Sequence, residues 1–132
     1  MIFGIGTDII DNLRIEKVLE KHSILFLKKY FNEVEYESYK NLDKNKFAQK
    51  IAKLFAGKEA FFKALGTGLR FNMSFKDITI LKNELGKPYI KISGETLNYT
   101  QKNIAQIEKL NIHISLSDEQ THSIAFVVIE KR

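Results

Sequence analysis

The sequence contains no cysteine, and this absence removes several classes of chemistry at once. There can be no disulfide, no thiolate zinc site and no cysteine nucleophile. A site for a hard metal ion would have to use carboxylates, with histidine as a possible extra ligand. A chain of 132 residues needs none of these to fold, because a domain of this size buries roughly two-thirds of its unfolded surface.

Long apolar segments and linkers are also missing. No uncharged apolar run approaches the ~18 residues of a membrane-spanning helix. The first six residues are apolar, but no basic segment precedes them and Asp8 follows almost at once, which argues against a secretory signal. With one proline, no repeat and no linker, we expect a single domain over residues 1–132, located in the cytoplasm and without a membrane partner.

Positive charge is in excess. The chain has 21 Lys and Arg against 16 Asp and Glu, a net charge of +5 and a pI of about 9.3. Such a balance favours acidic partners. Nucleic acid, a phosphorylated cofactor and an acidic protein all fit the charge equally well.

Hydrophobic periodicity predicts an α+β domain with a largely antiparallel sheet packed against a long helix. We expect strands over 2–10, 77–83, 89–93, 111–117 and 123–130, and helices from Asp11 or Asn12 to about 22, over 24–31, 34–42 and 46–65, and from 93 or 94 to about 109. The two central strands form a hairpin around the turn at 85–88. Gly66 is expected to end the long helix in the left-handed conformation.

Three charged residues stand out against apolar surroundings. Asp8 lies near the end of an isoleucine-rich strand, where a carboxylate is costly to bury unless it is paired or binds a metal; it could also cap the next turn. Glu59 and Lys63 are four residues apart and share one helix face. They could form an exposed ion pair worth ~0.3–0.5 kcal/mol, yet their helix is apolar enough to be largely buried. Both interpretations stay open for each position.

A glycine-rich segment, Gly66-Thr67-Gly68, follows the long helix. Glycine lets backbone N–H groups approach an anion closely. The spacing is not that of a Walker P-loop, and a helix end followed by a turn explains the segment equally well.

Polar residues also alternate along the fourth strand. Strand periodicity places His113, Ser115 and Ser117 on one face, opposite three apolar residues. This face is either solvated or part of a ligand-binding wall. No acidic residue at short spacing completes a Ser-His-Asp triad, which argues against a serine hydrolase.

Taken in order, these segments closely resemble the bacterial holo-acyl-carrier-protein synthases, which are small 4′-phosphopantetheinyl transferases. The matching segments are GIGTDII at 4–10, FAGKEAFFKALGTGL at 55–69, the strand start at 77–78, GKP at 86–88 and IHISLSDE at 112–119. The resemblance implies the 4′-phosphopantetheinyl transferase fold. It also implies Mg²⁺-dependent transfer of phosphopantetheine from coenzyme A to a serine hydroxyl of apo acyl carrier protein, for fatty acid biosynthesis, with release of adenosine 3′,5′-bisphosphate.

The same resemblance assigns roles to individual residues. It implies that Asp8 and Glu59 hold Mg²⁺, and that Lys63 reaches the phosphates as a point charge, so that these three form the catalytic group. It implies coenzyme A contacts at Lys44, Lys46, Lys63, Gly66, Thr67, Gly68, Lys87, Pro88, His113, Ser115 and Ser117.

Partners follow from the resemblance as well. Arg14, Lys17 and Lys21 on the first helix resemble a basic patch that receives the acidic carrier protein, which would account for the high pI without nucleic acid. The family assembles as a homotrimer with its sites at subunit interfaces. A neighbouring subunit would therefore supply the wall that contains His113.

Two positions depart from the family pattern. Many relatives have arginine where this chain has Leu54, and Lys53 points about 100° away around the helix, so it cannot simply replace that arginine. Many relatives have histidine where this chain has Asp118. The general base is therefore open among Glu59, a metal-bound water and Asp118 acting through water. A basic module that binds RNA or an acidic partner is the rival hypothesis, but it leaves the carboxylates and the glycine segment unexplained.

Overall fold

The computed structural model describes all of residues 1–132, and its strands form two antiparallel sheets. Strands β1 (Ile2–Asp11), β5 (His122–Lys131) and β4 (Leu110–Asp118) form one sheet in the order β1-β5-β4. Strands β2 (Ile78–Lys82) and β3 (Pro88–Ile92) form a separate hairpin. The α+β class and the antiparallel pairing are confirmed, although the strands are divided between two sheets.

Four α-helices accompany the sheets: α1 (Asn12–Tyr30), α2 (Glu33–Tyr36), α3 (Lys44–Leu65) and α4 (Gly94–Asn103). The Asp11 carboxylate caps α1 by accepting a hydrogen bond from the Leu13 N–H. Gly66 ends α3 with a φ of 87°, in the left-handed conformation that glycine tolerates. None of the helices is both long enough and apolar enough to cross a membrane.

Several predicted helix boundaries differ from the structure. The two helices predicted over 12–22 and 24–31 form one helix with a kink at His22, whose φ is −141°. The helix predicted over 34–42 is a single α-turn followed by a 3₁₀ turn at Glu37–Tyr39. The helix predicted to reach residue 109 was wrong beyond Asn103. There the chain turns so that Ile104 packs against the core before β4 begins.

The hairpin is confirmed with small shifts at its ends. Asp77 belongs to the 3₁₀ turn Phe75–Asp77 that precedes β2, and Pro88 is the first residue of β3. Pro88 pairs with Lys82 at the end of the ladder next to the turn, where a missing N–H is tolerated.

Helix α3 is the centre of the core and packs on the inner face of the larger sheet. Successive side chains of a strand point to opposite faces, so Ala125, Val127 and Ile129 of β5 face α3 and are buried. The outer face carries Ile5, Ile9, Ile124 and Phe126, which are exposed by 62%, 62%, 43% and 44%.

Gly6 sets how closely β1 approaches α3. A Cβ atom at this position would overlap the carbonyl oxygen of Ala60 and lie 2.6 Å from the Ala64 nitrogen. Both are helix backbone atoms that cannot move aside. The backbones of β1 and α3 are therefore in direct contact at this point.

We predict that Gly6→Ala destabilises the protein by about 1–3 kcal/mol or more, because the added methyl group must push α3 away from β1. The matched control is Gly66→Ala, where no atom lies within 4 Å of an added Cβ and the cost is that of the left-handed backbone, roughly 1–2 kcal/mol. Urea unfolding measures both free energies. A smaller loss at Gly6 than at Gly66 would contradict the packing argument.

Candidate active site

Asp8 of β1 and Lys63 of α3 meet where the strand crosses the helix. Asp8 shares the inner face of the sheet with Gly6, and the Lys63 ammonium lies 3.2 Å from Asp8 Oδ1. The same ammonium donates a hydrogen bond to the Thr7 carbonyl at 3.0 Å. The Asp8 side chain is 18% exposed, whereas that of Lys63 is 55% exposed. Asp8 thus holds the Lys63 ammonium, while about half of the lysine side chain stays exposed to solvent.

This contact and the cap of α1 exclude one interpretation drawn from local sequence for each position. Lys63 forms its ion pair across to the strand with Asp8, and no Glu59–Lys63 salt bridge forms along the helix. The carboxylate that caps α1 is that of Asp11, so Asp8 is free of that role.

Glu59 lies one turn before Lys63 in α3 and carries a charge that its surroundings do not neutralise. Burial raises the pKa of the Glu59 carboxyl above its ordinary value, and the negative charge of Asp8 raises it further. The positive charges of Lys63 and Arg14 only partly oppose this rise in pKa. Two carboxylates therefore lie close together with too little positive charge around them.

A metal ion at this point would take only two ligands from the protein. No group of three or more His, Asp or Glu side chains is placed to hold a metal ion. Mg²⁺ accepts such a site, since it usually keeps several waters and binds one or two carboxylates together with substrate phosphates. Asp8 and Glu59 could hold Mg²⁺ in this manner.

An open cleft of about 430 Å³ borders Glu59 and Lys63. Its lining consists of Glu59, Phe62, Lys63, Gly66, Gly68, Leu69 and Phe75. Gly66 and Gly68 both have positive φ, at 87° and 62°, so the chain turns sharply beside the cleft. Gly66 thus ends the helix and also lines the cleft that Lys63 borders.

The remaining predicted coenzyme A contacts lie elsewhere. Lys44 and Lys46 are at the start of α3, and fifteen residues of helix place Lys44 about 22 Å from Glu59 along the axis. Lys44 lines a separate groove with Glu16 and Glu20. Lys87 and Pro88 lie in the β2–β3 hairpin.

His113, Ser115 and Ser117 occupy the outer face of the larger sheet, as the alternation of β4 predicted. His113 pairs in register with Val128, and its Nε2 atom lies 3.1 Å from a carboxylate oxygen of Glu130. Asp8 points to the opposite face of this sheet. Within one subunit these three residues therefore cannot wall the cleft that contains Glu59.

A second cavity, of about 300 Å³, lies between α3 and the β2–β3 hairpin. Lys50, Lys53 and Lys82 line it together with Tyr39. Burial lowers the pKa of Lys50, and the neighbouring charges of Lys53 and Lys82 lower it further. This lysine cluster was missed in the sequence because Lys82 joins it from a distant strand. The spacing of Lys46, Lys50 and Lys53 along one helix face was the available signal.

Of the two positions singled out in the sequence, Leu54 lines this second cavity and Asp118 is linked to it through Lys53. Lys53 forms an ion pair of 3.2 Å with Asp118, and both side chains are largely buried. Leu54 is 6% exposed and lines the same cavity. The negative charge of Asp118 is thus balanced by the positive charge of Lys53, the residue that precedes Leu54.

The predicted docking residues Arg14, Lys17 and Lys21 are all exposed on α1. Their spacing of three and four residues places them on one side of the helix. The positive charge of Arg14 partly opposes the rise in the pKa of Glu59, so this basic side of α1 acts electrostatically on the site.

We predict that Glu59→Gln stabilises the metal-free protein at neutral pH. The folded state raises the pKa of Glu59 above the ordinary 4.5, so it binds this proton more tightly than the unfolded chain. Ionising Glu59 therefore costs stability as the pH rises through this range, and glutamine avoids that cost. The gain should vanish below about pH 4, where the wild-type carboxyl is also neutral.

Urea unfolding in a chelator at pH 7 and pH 4 measures this difference. Glu108→Gln, in the exposed 3₁₀ turn before β4, serves as the control and should change little at either pH. A loss of stability in Glu59→Gln at pH 7 would contradict the charge balance described above.

Comparison with known proteins places this geometry in a family. Residues 4–127 match the 4′-phosphopantetheinyl transferase superfamily. The chain is 39% identical over 131 residues to a holo-[acyl-carrier-protein] synthase of Pelagibacter ubique (strain HTCC1062), covering 99% of this chain and 98% of that protein. Its fold is similar to the holo-(acyl-carrier-protein) synthase of Bacillus anthracis str. Ames in complex with CoA (3′,5′-ADP), with 34% identity, coverage of 100% and 99% and a TM-score of 0.80.

A second solved structure agrees. The Helicobacter pylori holo-[acyl-carrier-protein] synthase in complex with coenzyme A is 31% identical, with coverage of 96% of this chain and 99% of that chain, and a TM-score of 0.78. The sequence match and the fold point to the same enzymes. The chain belongs to the 4′-phosphopantetheinyl transferase superfamily, as a member of its holo-[acyl-carrier-protein] synthase family.

Proposed function

We propose that this chain transfers 4′-phosphopantetheine from coenzyme A to a serine hydroxyl of an apo acyl carrier protein, in the cytoplasm and in support of fatty acid biosynthesis. The observation that carries the proposal is the ammonium of Lys63 held 3.2 Å from Asp8, beside Glu59 and a glycine-lined cleft. The serine oxygen forms a new bond to the phosphorus next to the pantetheine arm. The bond from that phosphorus to the bridging oxygen breaks, and adenosine 3′,5′-bisphosphate leaves.

The donor set fits Mg²⁺ at Asp8 and Glu59. Both ligands are hard carboxylate oxygens, and the raised pKa of Glu59 reports negative charge that a cation would neutralise. When bound there, Mg²⁺ would offset the charge of the pyrophosphate during transfer. Lys63 would add a second positive charge, since its ammonium is half-exposed and can reach a phosphate oxygen.

The proton of the attacking serine needs an acceptor, and the structure favours Glu59 over Asp118. Asp118 is engaged by Lys53 at 3.2 Å and does not line the cleft. Glu59 lines the cleft, so its carboxylate is the one that a serine entering the cleft would meet.

The second cavity suits the nucleotide end of coenzyme A. Its lysine cluster, Lys50, Lys53 and Lys82, is next to the hairpin that contains Pro88, and Lys46 extends the same helix face. Of these lysines, Lys50 and Lys53 lie on α3 and point about 180° and about 120° away from Glu59 around the helix. One coenzyme A molecule would therefore use the carboxylate pair of one subunit and the lysine cluster of another.

We further propose a homotrimer in which the outer sheet face is buried. Exposed apolar patches of this kind mark interaction sites. Here Ile5, Ile9, Ile124 and Phe126 form the patch, with His113, Ser115 and Ser117 beside it. Burying this face would bring the three polar residues to a neighbouring subunit.

The basic side of α1 suits the carrier protein. Arg14, Lys17 and Lys21 offer three exposed positive charges on one side of the helix, and opposite charge on the carrier protein would speed encounter and set its orientation. The serine of a carrier docked on α1 would then reach the cleft.

The metal assignment predicts that Asp8→Ala and Glu59→Ala each reduce turnover by roughly 10²–10⁴-fold, the range expected for a group that acts in the transition state. Intact-mass measurement of apo carrier protein after incubation with coenzyme A and Mg²⁺ reports the transfer. Glu108→Ala removes an exposed carboxylate that does not line the cleft, and this variant should keep full activity. Normal turnover in both site variants would exclude this metal site.

The assembly predicts that subunits complement one another. Glu59→Ala and His113→Ala should each be poorly active alone, because each damages a different wall of the same composite site. When equal amounts of the two variants exchange subunits, about one interface in four should contain both an intact Glu59 and an intact His113. Turnover should recover in proportion to the number of such interfaces. Sedimentation measures the trimer directly. An active Phe126→Lys monomer would contradict the composite site.

A further inference from the structure

Lys58 immediately precedes Glu59 and is completely buried. Its ammonium donates to Glu35 Oε1 at 2.7 Å, to the Phe75 carbonyl at 3.0 Å and to the Ile78 carbonyl at 2.6 Å. An ammonium has three N–H donors, so all of them are used. The ammonium has no freedom to rotate to other partners.

The carboxylate of Glu35 is equally occupied. One oxygen accepts from the Asn32 N–H at 2.9 Å in addition to Lys58, and the other accepts from the Ile80 N–H at 3.0 Å. Glu35 is fully buried in this ion pair. The pair therefore joins α2, α3, the 3₁₀ turn Phe75–Asp77 and β2 at a single point.

Stability alone does not explain such a pair. Removing two charges from water is costly, and replacing a buried ion pair with apolar side chains of similar size is often neutral or stabilising. Apolar side chains at positions 35 and 58 together would fill the same space beside the Phe31 ring. The directed hydrogen bonds are what an apolar side chain could not supply.

These bonds act on both sides of the cleft that contains Glu59. Lys58 and Glu59 are adjacent in α3, so fixing the Lys58 ammonium limits rotation and sliding of the turn that carries Glu59. Phe75 lines the same cleft, and its carbonyl is held by the same ammonium. The Lys58 ammonium thus sets the distance between the two sides of the cleft, one formed by Glu59 and the other by Phe75.

We propose that Lys58, through Glu35, is a positioning residue that holds Glu59 in register with Asp8 and sets the width of the cleft. The proposal rests on the transfer reaction proposed above. Lys58 touches neither substrate nor metal, and it acts through Glu59. Misplacing a reacting group by about 1 Å can cost on the order of 10²-fold in rate, so a small rotation of α3 is sufficient.

The test compares Lys58→Met with Ile129→Ala. Lys58→Met keeps an unbranched side chain and removes the charge. Ile129 of β5 is only 1% exposed, so Ile129→Ala leaves a cavity in the core. This variant is the control for stability lost away from the carboxylates. Thermal unfolding and circular dichroism establish that each protein is folded at the assay temperature and how far its Tm falls.

Two readouts separate positioning from stability. The first is Mn²⁺ binding, followed by electron paramagnetic resonance with coenzyme A present and no carrier protein. The second is kcat and KM for apo carrier protein. Lys58→Met should weaken Mn²⁺ binding about tenfold and lower kcat roughly 10–10²-fold with KM for the carrier unchanged. Ile129→Ala should lower Tm yet keep both values within about twofold of wild type.

Glu35→Gln keeps the inference testable if Lys58→Met does not fold. It preserves size and one acceptor oxygen, so it should shift both readouts in the same direction by a smaller factor. Folded variants with wild-type Mn²⁺ binding and kcat would overturn the positioning role. A wild-type protein that neither binds Mn²⁺ nor modifies the carrier would instead overturn the proposed function itself.

Discussion

The backbone contact between α3 and β1 is the constraint on which the site depends. At Gly6 the strand lies so close to the helix that a methyl group would overlap the Ala60 carbonyl. Only this approach brings the Asp8 carboxylate within 3.2 Å of the Lys63 ammonium. Gly6 has no side chain between the strand and the helix. Asp8, two residues further along and on the same face of the strand, does have one, and its carboxylate contacts Lys63 of α3.

The excess negative charge of Asp8 and Glu59 opposes folding, but it serves the proposed chemistry. The pKa of Glu59 is raised by burial and by Asp8, so the ionised carboxylate costs stability in the metal-free protein. A preformed negative pair is what a cation would need, and the bound cation could then accept phosphate oxygens. The same cost would vanish once a cation binds, which links occupancy of the site to stability.

Local pattern predicted the strands, the end of α3 at Gly66 and the outward side of His113, because these follow from periodicity and from glycine geometry. It did not predict which partner Lys63 would take, since Asp8 and Glu59 were both available. The Lys53–Asp118 and Lys58–Glu35 pairs join residues 65 and 23 positions apart, so only the tertiary fold brings them together. The end of α4 was missed because tertiary packing of Ile104 overrides a helix-compatible sequence.

Helix α3 carries charged groups on different sides, and this explains why its rotation matters more than that of an ordinary core helix. Glu59 and Lys63 face the cleft, Lys50 and Lys53 face the hairpin, and Lys58 is buried between other elements. Apolar packing tolerates small slips, because dispersion contacts are not directional. The hydrogen bonds from Lys58 to the Phe75 and Ile78 carbonyls are directional, so they do not tolerate such slips. A buried, fully bonded lysine therefore gives α3 an orientation that a wholly apolar surface would leave less well defined.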